Sequence, residues 1–523
     1  MKWIKRLLWV LLFVIIASAI GIFFYLKSLQ PDYNAEVKIP GIKSEVEVLF
    51  DDYAIPHIYA QNEEDLWQAL GYIHAQDRLF QMEMLRRVSG GRLSEVFGKD
   101  MLEVDQFFRS LGFKNYAKKV VDSVYNSQPN AAFVKNAKAY VKGINQYIKT
   151  GKTPIEFTLA GIPKAEFTLE DSEMIVGYMS YTFMEAFRVE AITEYINAKL
   201  GGNYLADLGV NTTIDEPKIP VDRLAKNNLM DLNLRLAKIE SLIPSPPLKG
   251  SNGWIIGGKK TKSGKPIFSN DTHIGFSQPS VWYEAHLECP GFKFYGNFLA
   301  GVPFALLGHN EKGGWGLTMF LNDEMDFYLE KINPANQNQF WFQDHWEDLK
   351  VREEQIKIKG QADFLMKVRE SRHGVLISDM MKTKELVAPF TDQKAPISVF
   401  WTYFKALSRN MEACYGMAKA GNAKECEQSV KLIHSPGLNV MWADTDGNIA
   451  WWATAKLIKR PPHVNPRLVL DGASGKDEPL GWYDFRENPQ ILNPEGNVLY
   501  TANNQPESRN GVYVPGYYVP LLK

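Results

Sequence analysis

Between Pro246 and Gly258 the stretch PPLKGSNGWIIGG passes from a proline-rich segment straight into an apolar run, with Gly250-Ser251 at the junction. Upstream of it the chain has helical texture. Leu66, Leu70, Ile73, Phe80 and Met84 fall on one helical face. NAAFVKNAKAYVKGINQYI and VEAITEYINAKLGG also read as helices, the second stopped by its glycine pair. Downstream, NGWIIGG, PIFSND, VWYEAHLEC and FKFYGNFLAGVPFALLGHN set β-branched and aromatic residues between Gly, Pro and Asn breaks, as strands do. LNVMWADTDGNIAWWATAKL is a hairpin turning at Asp446-Gly447. Helices followed by strands specify an α+β fold. Residues 31–205 form its mainly helical region and 251–523 its β-rich region. The Asn-, Asp-, Lys- and Pro-rich segment 206–250 reads as a linker or spacer, helical in part at LMDLNLRLAKIESL.

Residues 1–30 are a different material. Lys2, Lys5 and Arg6 precede an apolar run of 20 residues, Leu7 to Leu26. That length is about enough to cross a bilayer as a helix, and the positive flank stays in the cytoplasm. The segment is a signal anchor or a signal peptide. Continuation past the small residues ASA at 17–19 favours an uncleaved inner-membrane anchor. The rest is then exported, to the periplasm or an extracytoplasmic face. A net charge of −1 provides no field for nucleic acid. Three cysteines, Cys289, Cys414 and Cys426, with no CxxC pair, argue against a disulfide framework or structural zinc. They leave one disulfide or three buried free thiols. Asp77 falls on the apolar face between Ile73 and Phe80 and needs a partner there; Arg78, Arg86 and Arg87 are the neighbours on offer.

The common hydrolase signatures are absent. There is no GxSxG, no HExxH and no GxGxxG after a strand, and GKKTKSGKP has the wrong spacing for a phosphate loop. Ser251 is what remains. A cut before it would free an α-amino group of pKa about 8, roughly two units below lysine. Nucleophile and base would then share one residue. Glycine at 250 tolerates the backbone conformations that such a cut demands. The plain alternative is an ordinary Gly-Ser turn.

The surrounding residues weigh against a mere turn. GSNGWIIGGKKTKSGKPIFSNDTHIG, Gly308-His309-Asn310, Trp315-Gly316, the D-x-x-D of Asp323 to Asp326, NPRLVLDG and YTANNQP resemble landmarks of the penicillin acylase family. DYAIPHIYA and GYIHAQDRLFQMEMLRRVSGGRLSEVFG resemble the opening of that family's α-chain. The resemblance covers nearly everything after the anchor. It implies an N-terminal nucleophile hydrolase with the αββα four-layer sandwich, made as a precursor and cut at Gly250-Ser251 into an α/β heterodimer. The partner is a small N-acyl amide, such as a β-lactam or an acyl-homoserine lactone.

By the same resemblance, Ser251 is nucleophile and base and His273 interacts with its amino terminus. The backbone N–H of Met319 and the side-chain amide of Asn503 form the oxyanion hole, while Met179, Phe183, Ile274 and Leu307 line the acyl pocket. One structural calcium is implied, with ligands Glu190, Asp323, Asp326 and the carbonyls of Met325 and Pro466. Glu185 is the rival to Glu190, and an exposed acidic loop is the plain alternative for the two aspartates. Family members continue well past the ANN motif to an arginine that supports the active site. Here the sequence stops at Lys523 without a matching arginine, so the central sheets are expected to be incomplete. Two other readings stand beside this one: an unprocessed, membrane-tethered family member that binds acyl ligands, and a hydrolase with an internal Ser-His-Asp set.

Overall fold

The computed structural model describes residues 2–207, 228–242, 248–382, 396–506 and 514–518. Much of the expected linker, 208–227 and 243–247, lies outside these residues. The part inside them is a helix, Asn228–Leu242. It packs on the helix Ala186–Leu200 and is held there by Arg188 bonded to Glu240 at 2.8 Å. The expected helices are present at Glu63–Ser89 and Ala132–Thr150. These two cross at Gly71 and Gly143. A Cβ at either position would lie 2.0 Å from a carbonyl oxygen of the other helix.

Among the described residues, three sheets of three or more strands and two of two strands carry the second half. The largest has nine strands, in the order Glu47–Phe50, Pro56–Tyr59, Trp282–Cys289, Phe292–Leu299, Leu307–Asn310, Gly313–Met319, Leu438–Asp444, Ile449–Thr454 and Gln490–Leu492. Its first two strands come from the helical half of the chain, so both halves share one core. The predicted hairpin is its Leu438–Asp444/Ile449–Thr454 pair, with Gly447 at φ +91° in the turn. A six-stranded sheet contains Met325–Leu329 and Ile397–Trp401. It joins the same core through Phe327 against Phe187 and Trp401 against Phe113. The third sheet has three strands, Val498–Thr501, Leu248–Ile256 and Ile267–Ile274, with the serine strand in the middle.

Helices cover one face of the nine-stranded sheet. Trp67 of the long helix, for instance, packs on Phe292, Phe298 and Phe304. The three-stranded sheet covers the other face, through Ile255 and Leu499 against Met441 and Ile449. The described residues thus form a mixed α+β fold. On the outer face of the small sheet Trp254, Ile267 and Tyr500 are 41, 48 and 62% exposed.

Two details correct the sequence reading. Asp77 is half-buried with the Arg78 charge nearby, but its hydrogen-bond donors are tyrosines. Tyr33 donates to Oδ1 at 2.9 Å and Tyr283 to Oδ2 at 2.7 Å. Arg86 and Arg87 are instead held by Glu83, three and four residues earlier on their own helix. All three cysteines are buried free thiols.

Candidate active site

Period two in the serine strand puts Ser251, Gly253 and Ile255 on its inner face and Asn252 and Trp254 on its outer face. Ser251 is 3% exposed, and its Oγ donates to the Gly250 carbonyl oxygen at 2.7 Å. The hydroxyl thus lies against the peptide bond expected to be cut.

Both neighbouring strands bear on that bond. Gly250 pairs with His273 and Ser251 with Thr272 on one side. On the other, Thr501 pairs with Gly253, which brings Asn503 across from Ser251. Here the Asn503 side chain continues the ladder. Ser251 N–H donates to its Oδ1 at 3.1 Å, and its Nδ2 donates to the Ser251 carbonyl at 2.7 Å. Asn503 has φ +61°, a conformation that asparagine adopts more readily than most side chains. Gly250 has φ +157°, which residues with a side chain rarely adopt, and it is closely approached. A Cβ there would sit 3.3 Å from Asn503 Nδ2 and 3.7 Å from His273 Nδ1. His273 Nε2 meets Asp271 Oδ2 at 2.8 Å and Asn252 Nδ2 at 3.4 Å.

Met319 ends the strand Gly313–Met319 of the large sheet. Phe320 N–H donates to Gly437 O at 3.2 Å. Alternation along an antiparallel ladder therefore turns the Met319 N–H to the opposite edge. Two buried or half-buried asparagines lock this strand to the serine sheet. Asn439 Nδ2 contacts Met319 O, Thr318 Oγ1 and Thr501 Oγ1 at 2.9, 3.1 and 3.1 Å, while its Oδ1 accepts from Trp451 Nε1 at 3.1 Å. Asn270 bonds both N–H and C=O of Leu317 and also the Asn252 carbonyl. Sequence reading missed both. An Asn inside the apolar run LNVMWAD was the available signal for Asn439.

A cavity of about 780 Å³, counting its open mouth, lies beside Ser251. Met179, Phe183, Ile274, Leu307, Ser251 and Met319 all line it. The structure thus brings the four pocket residues expected from sequence to one apolar wall, next to the serine and the Met319 backbone.

The expected calcium ligands are elsewhere. Glu190, Asp323 and Asp326 are fully buried, not an exposed loop. Glu185 is not with them; it pairs with Arg188 at 2.8 Å. Met325 is buried on the same strand as Asp326, and Pro466 is in the loop before the strand Leu470–Asp471. Arg460, which sequence reading overlooked, occupies the centre. Its Nε donates to both Asp326 oxygens at 3.1 Å, and its Nη2 to Asp323 Oδ1 at 3.2 Å. Tyr517 donates to Glu190 Oε1 at 2.5 Å. Burial raises the pKa of all three carboxyls, and at Glu190 repulsion from Asp323 and Asp326 adds to it. Glu190 Oε2 and Asp323 Oδ2 are buried without a hydrogen-bond partner. Among the described residues, no three acidic, His or Cys side chains stand together at metal-ligand spacing.

The penicillin amidase family model matches residues 45–520, and the chain belongs to that family. It is 26% identical over 510 residues to the acyl-homoserine lactone acylase QuiP of Pseudomonas aeruginosa, covering 95% of this chain and 58% of the relative. It is 26% identical to the penicillin acylase 2 proenzyme of a Pseudomonas species, covering 92% and 61%. To the penicillin G acylase of Escherichia coli it is 27% identical, covering 89% and 60%. The chain therefore spans about three fifths of the length of these relatives.

Proposed function

We propose that this chain is the precursor of an amidohydrolase that cuts itself at Gly250-Ser251 and then hydrolyses small N-acyl amides. The observation that carries the reading is the placement of Ser251 Oγ, 2.7 Å from the Gly250 carbonyl oxygen and on the wall of an apolar cavity.

In processing, Oγ attacks the Gly250 carbonyl carbon, the C–N bond breaks, and the glycyl group moves to oxygen as an ester. Water then hydrolyses the ester, leaving a carboxyl on Gly250 and a free amine on Ser251. Asn503 Oδ1 already accepts from the Ser251 nitrogen, so it holds that amine in place. Departure of Gly250 opens the space in front of His273, its ladder partner. With a pKa about 8, the amine takes the hydroxyl proton at neutral pH. Oγ attacks the substrate carbonyl, whose oxygen becomes charged. The Met319 N–H and the second Asn503 amide hydrogen stabilise it, at about 3 kcal/mol per donor. The leaving amine takes the proton, and water releases the acid from the acyl-enzyme. Acyl groups of β-lactams and acyl-homoserine lactones both suit the mixed aliphatic and aromatic wall.

Calcium enters this reading as structure, not chemistry. Asp323 and Asp326 contact Arg460, with Glu190 near them and Arg467 further out. The orphan oxygens of Glu190 and Asp323 are the hard donors such an ion takes. Glu190, Asp323, Asp326 and the carbonyls of Met325 and Pro466 would hold it. The helix Lys2–Leu29, apolar and with no residue buried, serves as an anchor that keeps the catalytic body on the extracytoplasmic face.

Denaturing electrophoresis with N-terminal sequencing tests the reading. Two chains are expected, one beginning Ser-Asn-Gly-Trp. Ser251→Ala should yield one chain and lower amide hydrolysis by about 10⁶-fold. An uncut wild type that hydrolyses amides would refute the mechanism. An uncut, inactive wild type that binds acyl ligands would support a tethered binding protein instead.

A further inference from the structure

The acyl cavity shares part of its wall with a second one. Gln81 and Leu85 of the long helix, together with Val281, line both it and a second cavity of about 1600 Å³, counting its open mouth. One wall of that second cavity is the stripe Phe80, Met84 and Val88 on the same helix. At its other end are Leu29, the last residue of the N-terminal apolar helix, and Pro31 just beyond.

This end is pinned to the body. Lys152 Nζ donates to the Gln30 carbonyl at 2.6 Å, and Tyr33 bonds Asp77 on the long helix at 2.9 Å. The apolar helix has mean hydropathy 2.9 over its most apolar stretch and is 0% buried there. It needs an apolar medium to cover it, which a bilayer supplies. The second cavity therefore opens where the span leaves the membrane. Asp77, Arg78, Lys152 and Glu156 line it beside the apolar residues, a mixture suited to an interface where polar groups meet acyl chains.

We infer that the substrate is a membrane-resident N-acyl amide with a long acyl chain. Its carbonyl is placed at Ser251, and its chain runs past Gln81, Leu85 and Val281 into the groove beside the anchor. This rests on the amidohydrolase reading of Ser251. Each further buried methylene contributes about 0.8 kcal/mol, so a pocket continued by a groove favours long chains, whereas a closed pocket rejects them.

The test uses the full-length processed protein in phosphatidylethanolamine/phosphatidylglycerol vesicles, with N-butanoyl- and N-hexadecanoyl-p-nitroanilide as probes. Wild type is expected to show a kcat/KM at least about 10-fold higher for the long chain. Met84→Glu places a charge in the groove but not in the catalytic cavity. It should lower the long-chain value about 10-fold or more and leave the short-chain value within about 2-fold. If Met84→Glu loses both activities through misfolding, Phe97→Glu at the groove's 45%-exposed rim makes the same comparison. Equal or better turnover of the butanoyl amide by wild type overturns the inference and leaves the amidohydrolase standing. So does a long-chain rate indifferent to the groove variants. Hydrolysis of neither amide by a protein that stays uncut overturns both.

Discussion

The serine strand and the Arg460 cluster are both buried polar sites, but they are made of opposite materials. Around Ser251 the buried polar groups are neutral: amides of Asn503 and Asn439, hydroxyls of Thr318 and Thr501, and backbone, with half-buried Asn270 and the exposed His273–Asp271 pair at the edge. Around Arg460 they are ionic, with Asp323, Asp326 and Glu190 all inside the core. In the proposed reaction a neutral network can trade one hydrogen bond for another as the Ser251 nitrogen is freed and Oγ is acylated and released. A buried ionic cluster cannot, because removing one member leaves an uncompensated charge in low dielectric. The first arrangement suits chemistry that remakes its own backbone. The second suits a fixed joint, here between the helix Ala186–Leu200 and the six-stranded sheet.

The largest effect should come from breaking the joint. Arg460→Leu strands Asp323 and Asp326 and should cost about 3–5 kcal/mol, read by urea unfolding. Arg460→Lys should recover only part, since an ammonium lacks the fork that reaches both carboxylates. A loss under about 1 kcal/mol would erase the contrast drawn here. In the neutral site, Asn503→Ala should leave the fold nearly intact but lower kcat by about 10²–10³-fold, an oxyanion-hole magnitude, measured on the processed enzyme. Strong destabilisation with unchanged kcat would make Asn503 a structural ladder residue only.

Glu173 lies between the two cases, a fully buried carboxyl with the Tyr125 hydroxyl as donor at 2.7 Å. Burial pushes its pKa up from 4.5 to about 7. The unfolded chain releases this proton near pH 4.5 while the folded chain keeps it to about 7. The stability involved is complete below pH 4.5 and is lost as pH rises to 7, at most about 3 kcal/mol. Glu173→Gln should remove that slope, so the variant gains on wild type between pH 5 and 8 in thermal melts. A slope unchanged by the substitution would mean that Glu173 is solvated in the native state. The smallest effect expected is from calcium. At 100 times its Kd it should stabilise the wild type by about 2–3 kcal/mol, seen as a fall in Tm on adding chelator. Glu190→Gln should weaken that response. A chelator-insensitive wild type would mean that the arginines alone balance the acids.

Sequence reading went furthest where local pattern and chemistry coincide. The Gly-Ser junction, the hairpin at Asp446-Gly447, the long helices and the apolar character of Met179, Phe183, Ile274 and Leu307 are all local properties. It failed where a partner comes from far along the chain. Of the arginines offered to Asp77, Arg78 does act on it, but its hydrogen-bond donors are Tyr33 and Tyr283, 44 and 206 residues away. Arg460 had no signal at all in KLIKRPPHVNP, because its meaning comes from Asp323 and Asp326, more than a hundred residues upstream.

The order of residues alone settles that a serine follows a glycine at the mouth of a strand, that strands follow helices, and that the first thirty residues are apolar enough for a bilayer. These are matters of covalent neighbours and periodicity. Only folding decides that Asn503 lies across from Ser251, that Arg460 stands among the acids, and that Gln81, Leu85 and Val281 line both the acyl cavity and the groove beside Leu29. Each of these depends on strand register or helix crossing, which many distant contacts set together and no single stretch encodes.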